Sequence, residues 1–296
     1  MVLHRRIFWS MKPVSAGLAL LPRTASYCHS SGRKSFDNEE THFGFERIKA
    51  HEKNEKVREV FDSVSSTYDI MNDAMSFGVH RLWKDIFIQR LGPTQGTRLL
   101  DVAGGTGDIA FRFLKYLKNK ECSENNALGV KSNVTVCDIN EAMLNVGRSR
   151  SKSLSWIDSS DISWVQGDAE KLPLNSDSYC AYTIAFGIRN VTHIERVLEE
   201  AYRVLKPGGR FMCLEFSHVH NPYLQWLYDQ YSFQIIPVMG QVIAGEWKPY
   251  QYLVESIRQF PNQEDFKHMI QCAGFQHITH ENLSFGVVAI HSAFKL

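Results

Sequence analysis

The chain has 296 residues, 44% of them apolar, enough for one large domain with its own core or for two small ones. The formal charge of +1 is unevenly spread: residues 1–35 carry six basic residues and no acidic one, leaving 27 of the 33 basic residues against all 32 acidic ones in the remainder. A mildly acidic body excludes nonspecific nucleic-acid binding, which rests on clustered positive charge, and the ordinary composition excludes collagenous, fibrous and disordered classes.

The first 35 residues are rich in Arg and Ser and free of acids, the composition of a mitochondrial presequence. Their longest apolar stretch, Ala16 to Leu21, is far too short to span a bilayer, and Lys12-Pro13 breaks the core that a secretory signal would need. We expect residues 1–40 to be presequence and disordered lead-in, and 41–296 to form a single domain in which 218–262 is an inserted lid. The six cysteines contain no C-x-x-C pair, which fits free thiols in a reducing compartment and neither a disulfide framework nor a zinc site.

Residues 36–52 are polar and read as a loose lead-in. Helical spacing of Val57, Val60, Phe61, Val64 and Tyr68 predicts a helix over 56–68, and Val79, Leu82, Trp83, Ile86, Phe87 and Leu91 predict a second over 79–91, closed by Gly92-Pro93. A buried strand (97–102) then runs into Gly104-Gly105-Thr106-Gly107, a helix from Asp108 to about Lys118 and a polar loop to Ser132. Strands at 134–137, 162–166, 179–186 and 210–216 alternate with helices at 141–150 and 193–205, the last stopped by Pro207-Gly208-Gly209. An aromatic stretch (Tyr223, Trp226, Tyr228, Tyr231, Phe233) precedes helices near 247–259 and 263–273, and strands 275–281 and 287–294 form a terminal hairpin. The expected fold is α/β: a Rossmann-like, seven-stranded and mostly parallel sheet with a C-terminal antiparallel hairpin and helices on both faces.

In such sheets ligands bind beyond the carboxyl ends of the strands, where every suggestive residue of this sequence sits. Gly104, Gly105 and Gly107 let a ligand approach the backbone, but alone they serve dinucleotides equally. The spacing differs from G-x-G-x-x-G, and Asp101 beneath the loop suits an ammonium and a sulfonium where it would repel a pyrophosphate. Asp138, ending the next strand, offers two acceptor oxygens for a ribose; Asp168-Ala169 can bracket an adenine with a carboxylate and a backbone N–H. Singly, Asp138 or Asp168 is equally a helix cap; together with the loop they point to S-adenosyl-L-methionine.

Leu99 through Gly107 resembles motif I of class I methyltransferases. Tyr68 through Ser76, continuing to His80 and Trp83, and Arg203 through Gly209, continuing to Glu215-Phe216-Ser217, resemble the two signatures of the ubiquinone/menaquinone biosynthesis C-methyltransferases. The likeness runs from about residue 41 to the C-terminus. It implies cofactor contacts at Thr106, Asp138, Asp168 and Ala169 and methyl transfer to a ring carbon of a polyprenyl benzoquinol; no metal is expected, since neither His218 with His220 nor His277 with His280 has a carboxylate or cysteine cluster near it in sequence. It also implies a peripheral place on the matrix side of the mitochondrial inner membrane, other ubiquinone-biosynthesis proteins as partners in a multi-subunit complex, and room for a homodimer. The broad pattern has glycine where this chain has Ala103, which a negative φ there would accommodate.

A phenolate makes the ring carbon nucleophilic, so the site must orient the ring and handle a proton. Arg189, in Phe186-Gly187-Ile188-Arg189-Asn190 at the fourth strand end, is read as stabilising that phenolate or orienting a water, since arginine stays charged, with a surface ion pair as its alternative. His80 is the second catalytic candidate, with Asp69 and Asn72 near the same entrance; packing or capping is its alternative. The 223–238 stretch and the helix at 249–260 are expected to cover an apolar groove for the isoprenoid tail, with plain core packing as the alternative.

Overall fold

Leu99, Leu100 and Val102 lack the polar alternation of a half-exposed strand, and all are buried, because a central parallel strand is covered on both faces. The computed structural model describes residues 40–64, 68–124 and 131–296. The expected presequence, except Glu40, lies outside the described residues. In chain order the elements are β1 (Glu40–Phe43), β2 (Glu46–Lys49), α1 (Ala50–Val64), α2 (Tyr68–Ser76), α3 (Val79–Leu91), β3 (Arg98–Val102), α4 (Asp108–Glu124), β4 (Asn133–Asp138), α5 (Glu141–Ser153), β5 (Ile162–Gln166) and β6 (Tyr179–Ala185). There follow α6 (Ile194–Val204), β7 (Leu205–Phe216), α7 (Pro222–Gln230), α8 (Ile236–Met239), α9 (Lys248–Gln259), α10 (Gln263–Cys272), β8 (Gln276–Leu283) and β9 (Val288–Phe294).

The large sheet runs β5-β4-β3-β6-β7-β9-β8, parallel except for β9, which is antiparallel to both β7 and β8. The expected seven strands and terminal hairpin are therefore present, with β9 inserted between β7 and β8. Alternate side chains sort to the two faces. Leu99, Val134 and Met212 pack with Phe87 of α3 and Phe113 of α4; Leu100, Tyr182 and Phe211 pack with Val197 and Leu198 of α6 and Phe266 of α10. After β3 the chain builds outward through β4 and β5, then returns to place β6 on the other side of β3. That reversal opens a crevice beyond the carboxyl ends of β3 and β6.

Several boundaries differ from the sequence reading: the helix expected over 56–68 is α1, which begins at Ala50 and ends at Val64, and α2 was not expected as a helix. Residues 40–49 form an antiparallel hairpin instead of a loose lead-in, because Ile48 is buried, the Phe43 ring stacks on Tyr252 at 4.2 Å, and Phe45 N–H donates to Glu255 Oε2 at 3.0 Å. None of those partners is local, so composition does not reveal them. Helix α4 continues past Lys118 to Glu124. Pro207-Gly208-Gly209 stops α6 but then lies within β7 as a bulge, where Gly208 takes φ +79° and its N–H donates to Lys295 O. The 223–244 stretch is one helical run in which α7 and α8 are interrupted by π-helical turns at Tyr231–Ile235 and Gly240–Ala244. Among the described residues no helix is long and apolar enough to cross a membrane.

Candidate active site

The crevice at β3 and β6 is a cavity of about 150 Å³ whose walls include Asp101, Gly105, Thr106, Asp138, Asp168 and Ala169, so all six expected cofactor residues meet there. Asp101 is fully buried; Thr183 Oγ donates to its Oδ1 at 2.9 Å, while its Oδ2 has no hydrogen-bond partner among the described residues. Burial pushes its carboxyl up to about 7, with Asp108 and Asp138 adding to the rise and Thr183 opposing it. Ionising it there costs on the order of 4 kcal/mol more than in water, which a bound cation would offset. A Cβ on Gly104 would stand 2.8 Å from Asp101 Oδ2 and 2.6 Å from Val136, so glycine is what lets the loop lie on the carboxylate. This orphaned acceptor and its glycine cradle fit an ammonium-bearing ligand.

Asp138 ends β4, with Gly105 N–H donating to its Oδ2 and Asn140 N–H to its Oδ1, each at 2.8 Å. It is not the cap of α5: that is Asn140, whose side chain accepts from Met143 N–H. Asp138 therefore clamps the loop, and each oxygen keeps a lone pair for a ribose. Burial raises its carboxyl against those backbone donors. Asp168 Oδ1 accepts from Glu170 N–H at 2.9 Å, and Thr106 Oγ accepts from Arg150 at 2.8 Å. From above, α1 closes the crevice through Asn54, Val57 and Phe61, tied down by Lys53 Nζ donating to Val191 O and by Asn140 donating to Asp62.

Ala103 departs from the expectation of a negative φ: it takes φ +51°. Phe186, at the end of the adjacent β6, also takes a positive φ of +57°. Two non-glycine residues in the left-handed region, each costing about 1–2 kcal/mol, thus flank the crevice floor. The Ala103 methyl is accommodated because its neighbour is Gly187, where an added Cβ would come within 2.5 Å of Ala103 Cβ.

A second cavity, of about 360 Å³, shares Phe61, Lys84 and Phe186 with the first. Trp83, Phe186 and Phe216 wall it, with Phe186 and Phe216 centroids 5.0 Å apart, and Tyr228, Tyr252 and Ile257 close it from the helical cover. Met71, Ile236, Tyr250 and Val254 form a small separate core, of which Met71, Ile236 and Tyr250 also line the cavity. Arg189 and His80 both line this cavity, so the two catalytic candidates, 109 positions apart in sequence, converge. Arg189 Nη1 is 2.9 Å from Glu215 Oε1 and also donates to Phe186 O at 2.6 Å, its guanidinium lies 5.5 Å from the Phe216 ring centre, and its Nε is buried without a hydrogen-bond partner among the described residues. The pair is 6% and 2% exposed, so the surface ion pair is ruled out. Burial raises the Glu215 carboxyl against the pull of Arg189.

His80 Nε2 is 2.9 Å from Asp73 Oδ1, and Asp73 also accepts from Arg81. Burial lowers the His80 pKa below its usual value, against Asp73, which raises it. Asn72 lines the same cavity, whereas the Asp69 side chain lies outside the described ones.

Glu215 and Lys84 were not among the expected site residues, whereas Tyr228 and Tyr252 fall within the 223–238 and 249–260 stretches expected to cover a groove. Glu215 had a readable signal, a carboxylate at a strand end level with Arg189; Lys84 lies one helical turn after His80. For the tyrosines the stretches were legible but not which side chains face the cavity, since the fold decides that.

The model of the ubiE/COQ5 methyltransferase family matches residues 49–295. The chain is 60% identical over 273 residues to the mitochondrial 2-methoxy-6-polyprenyl-1,4-benzoquinol methylase of Drosophila melanogaster, covering 90% of this chain and 89% of that one. It is 55% identical over 280 residues to the Homo sapiens protein of the same name, covering 87% and 85%. A SAM-dependent methyltransferase from Thermotoga maritima shares the fold with a TM-score of 0.55 at 19% identity, over 81% of this chain and all of that one. A seven-stranded methyltransferase sheet, an acid-lined crevice and both signature stretches thus lie in one match that spans nearly every described residue, and the chain belongs to the ubiE/COQ5 methyltransferase family.

Proposed function

We propose that this S-adenosylmethionine-dependent enzyme methylates a ring carbon of a polyprenyl methoxy-benzoquinol in ubiquinone biosynthesis. One observation carries the reading: the acid-lined crevice and the aromatic cavity adjoin, with Phe61, Lys84 and Phe186 in the walls of both, so a donor in one faces a ring in the other. The cofactor supplies a methyl group on a sulfonium. Asp101 takes its ammonium, Asp138 its ribose, and Asp168 and Ala169 its adenine edge. No metal is assigned a role, and an unchanged rate in chelator tests that.

In the aromatic cavity, Trp83 and Phe216 orient the ring and exclude water. The Arg189–Glu215 pair presents a guanidinium whose position is fixed before the ring arrives, stabilising charge as a ring hydroxyl ionises. His80 donates Nε2–H to the Asp73 carboxylate, leaving the Nδ1 lone pair to accept that proton, and burial, which lowers its pKa, favours that neutral form.

A third, more open cavity of about 580 Å³ shares Tyr228, Tyr231, Ser284 and Val287 with the second, and we assign it to the polyprenyl tail. Tyr223, Trp226, Leu227 and Phe285 are exposed along α7 and the β8–β9 turn, which suits a peripheral contact with the membrane holding the quinol. The matrix side of the mitochondrial inner membrane, the complex with other ubiquinone-biosynthesis proteins and the homodimer belong to the same reading. Methyl transfer to a short-chain demethyl benzoquinol by purified residues 40–296 tests it: absence of product with cofactor bound sinks the substrate assignment.

A further inference from the structure

The donor crevice is lined by five acidic side chains, Asp101, Asp108, Asp138, Asp168 and Glu170, and by two basic ones, Arg58 and Lys84. S-adenosylmethionine brings an ammonium, a sulfonium and one carboxylate. The acids suit the cations, but a carboxylate needs a donor, and the choice among side chains is narrow. Arg58 is 61% exposed and sits 3.8 Å from Asp62, so water already screens it. Lys84 is 12% exposed, projects from α3, and lines both cavities at their junction.

Lys84 Nζ lies 2.7 Å from Asp108 Oδ2 at the first turn of α4. Asp108 does not depend on it alone, since Arg112 holds the other oxygen, Oδ1, at 2.5 Å. Although burial works to raise the Asp108 carboxyl, Lys84 and Arg112 outweigh it and Arg150 adds to their pull, so that its pKa falls. Arg112 also pairs with Asp85 at 2.9 Å, and of the two basic side chains in the crevice wall Lys84 is the less exposed. An ammonium has three donors, and Asp108 uses one of Lys84's.

We infer that Lys84 is the counter-ion of the cofactor's α-carboxylate, shared with Asp108 and set opposite Asp101, which takes the ammonium. The inference rests on the cofactor reading above. Lys84 would hold the amino-acid arm of the donor by both ends and, because it also borders the ring cavity, fix the sulfonium at the junction. It is a binding residue, and its effect is read without any acceptor, so failure of the quinol assignment leaves it untouched.

Calorimetry with three ligands tests it: S-adenosylmethionine, decarboxylated S-adenosylmethionine, which keeps both positive groups, and 5′-methylthioadenosine, which lacks the whole arm. The wild-type chain should bind the first about tenfold or more tighter than the second, the size of a charge-assisted hydrogen bond. Lys84→Met should lose about that factor for S-adenosylmethionine, bind decarboxylated S-adenosylmethionine as well as before or better, and bind methylthioadenosine within twofold. Lys84→Arg should recover part of the preference. Equal wild-type affinity for the first two ligands overturns the assignment, whatever the variants do. Equal loss of all three in Lys84→Met, or loss of none, also overturns it.

Discussion

The donor crevice and the ring cavity differ in how they are built. The crevice draws its key groups from the ends of β3, β4 and β5: Asn140 and Glu170 N–H hold Asp138 and Asp168 from two residues on, Gly105 N–H reaches Asp138 from the loop after β3, and Thr183 on the neighbouring β6 holds Asp101. The ring cavity draws Asn72 and His80 from α2 and α3, Arg189 from beyond β6, Tyr228 and Tyr252 from the helical cover and Val287 from the terminal hairpin. The first is charged and built on strand ends and the loops after them; the second is more apolar, with one buried ion pair, and its walls come from elements far apart in sequence, joined by packing and by long-range hydrogen bonds such as Trp83 to Ser284 and Tyr231 to Met75. Damage to the crevice should therefore show as lost cofactor affinity, and damage to the cavity as lost turnover or stability.

The largest expected break of that contrast is Arg189→Ala. Turnover should fall by about 10²–10³, the size seen when one preorganised donor to a developing oxyanion is removed. Cofactor affinity should stay within twofold. Leaving Glu215 buried and unpaired should also cost about 3–5 kcal/mol of stability, and Glu215→Gln in the same chain should recover much of it in thermal melts. Near-wild-type turnover by Arg189→Ala ends the proposed role.

Next in size is Asp101→Asn, which should weaken S-adenosylmethionine by about tenfold to a hundredfold at pH 8 and leave the ring cavity unaltered. The sign of its pH dependence follows from the folded-state pKa of about 7, raised from the ordinary carboxylate value of 3.8. The folded chain without cofactor holds a proton that the unfolded chain has lost, so its stabilising contribution is complete below about pH 4 and is lost as pH rises through 7. Cofactor binding, which favours the ionised form, should tighten over the upper part of that window, and Asp101→Asn should flatten both slopes. Denaturant melts and titration calorimetry from pH 5 to 8.5 measure them.

A smaller effect sharpens the apolar side of the contrast. Leu253→Trp, in the wall of the ring cavity, should raise KM for a quinol by several-fold with cofactor affinity unchanged. An equal change in both would mean that the two cavities are one.

The smallest effects concern the strained floor. Gly187→Ala should destabilise by about 1–3 kcal/mol, because its methyl meets Ala103 Cβ at 2.5 Å. Ala103→Gly alone should shift stability by no more than about 1 kcal/mol, and joined to Gly187→Ala it should restore most of the loss. Additive losses in this cycle would show that the two strand ends do not meet.

The sequence by itself determined the sheet, its terminal hairpin and the strand-end carboxylates, because buried strands, glycine loops and helix stops act over a few residues and leave their marks there. Helix α3 was legible to the residue from the spacing of Trp83, Phe87 and Leu91. The β1–β2 hairpin was not, since it exists through Tyr252 and Glu255, some 200 positions away. The fold also decided that Arg189 is half of a buried pair, that Ala103 takes φ +51° against Gly187, and that Lys84 stands where the two cavities meet. Each of those depends on which strand lies beside which. Strand order follows from how the two faces of the sheet bury their apolar side chains together, and no short stretch of sequence records it.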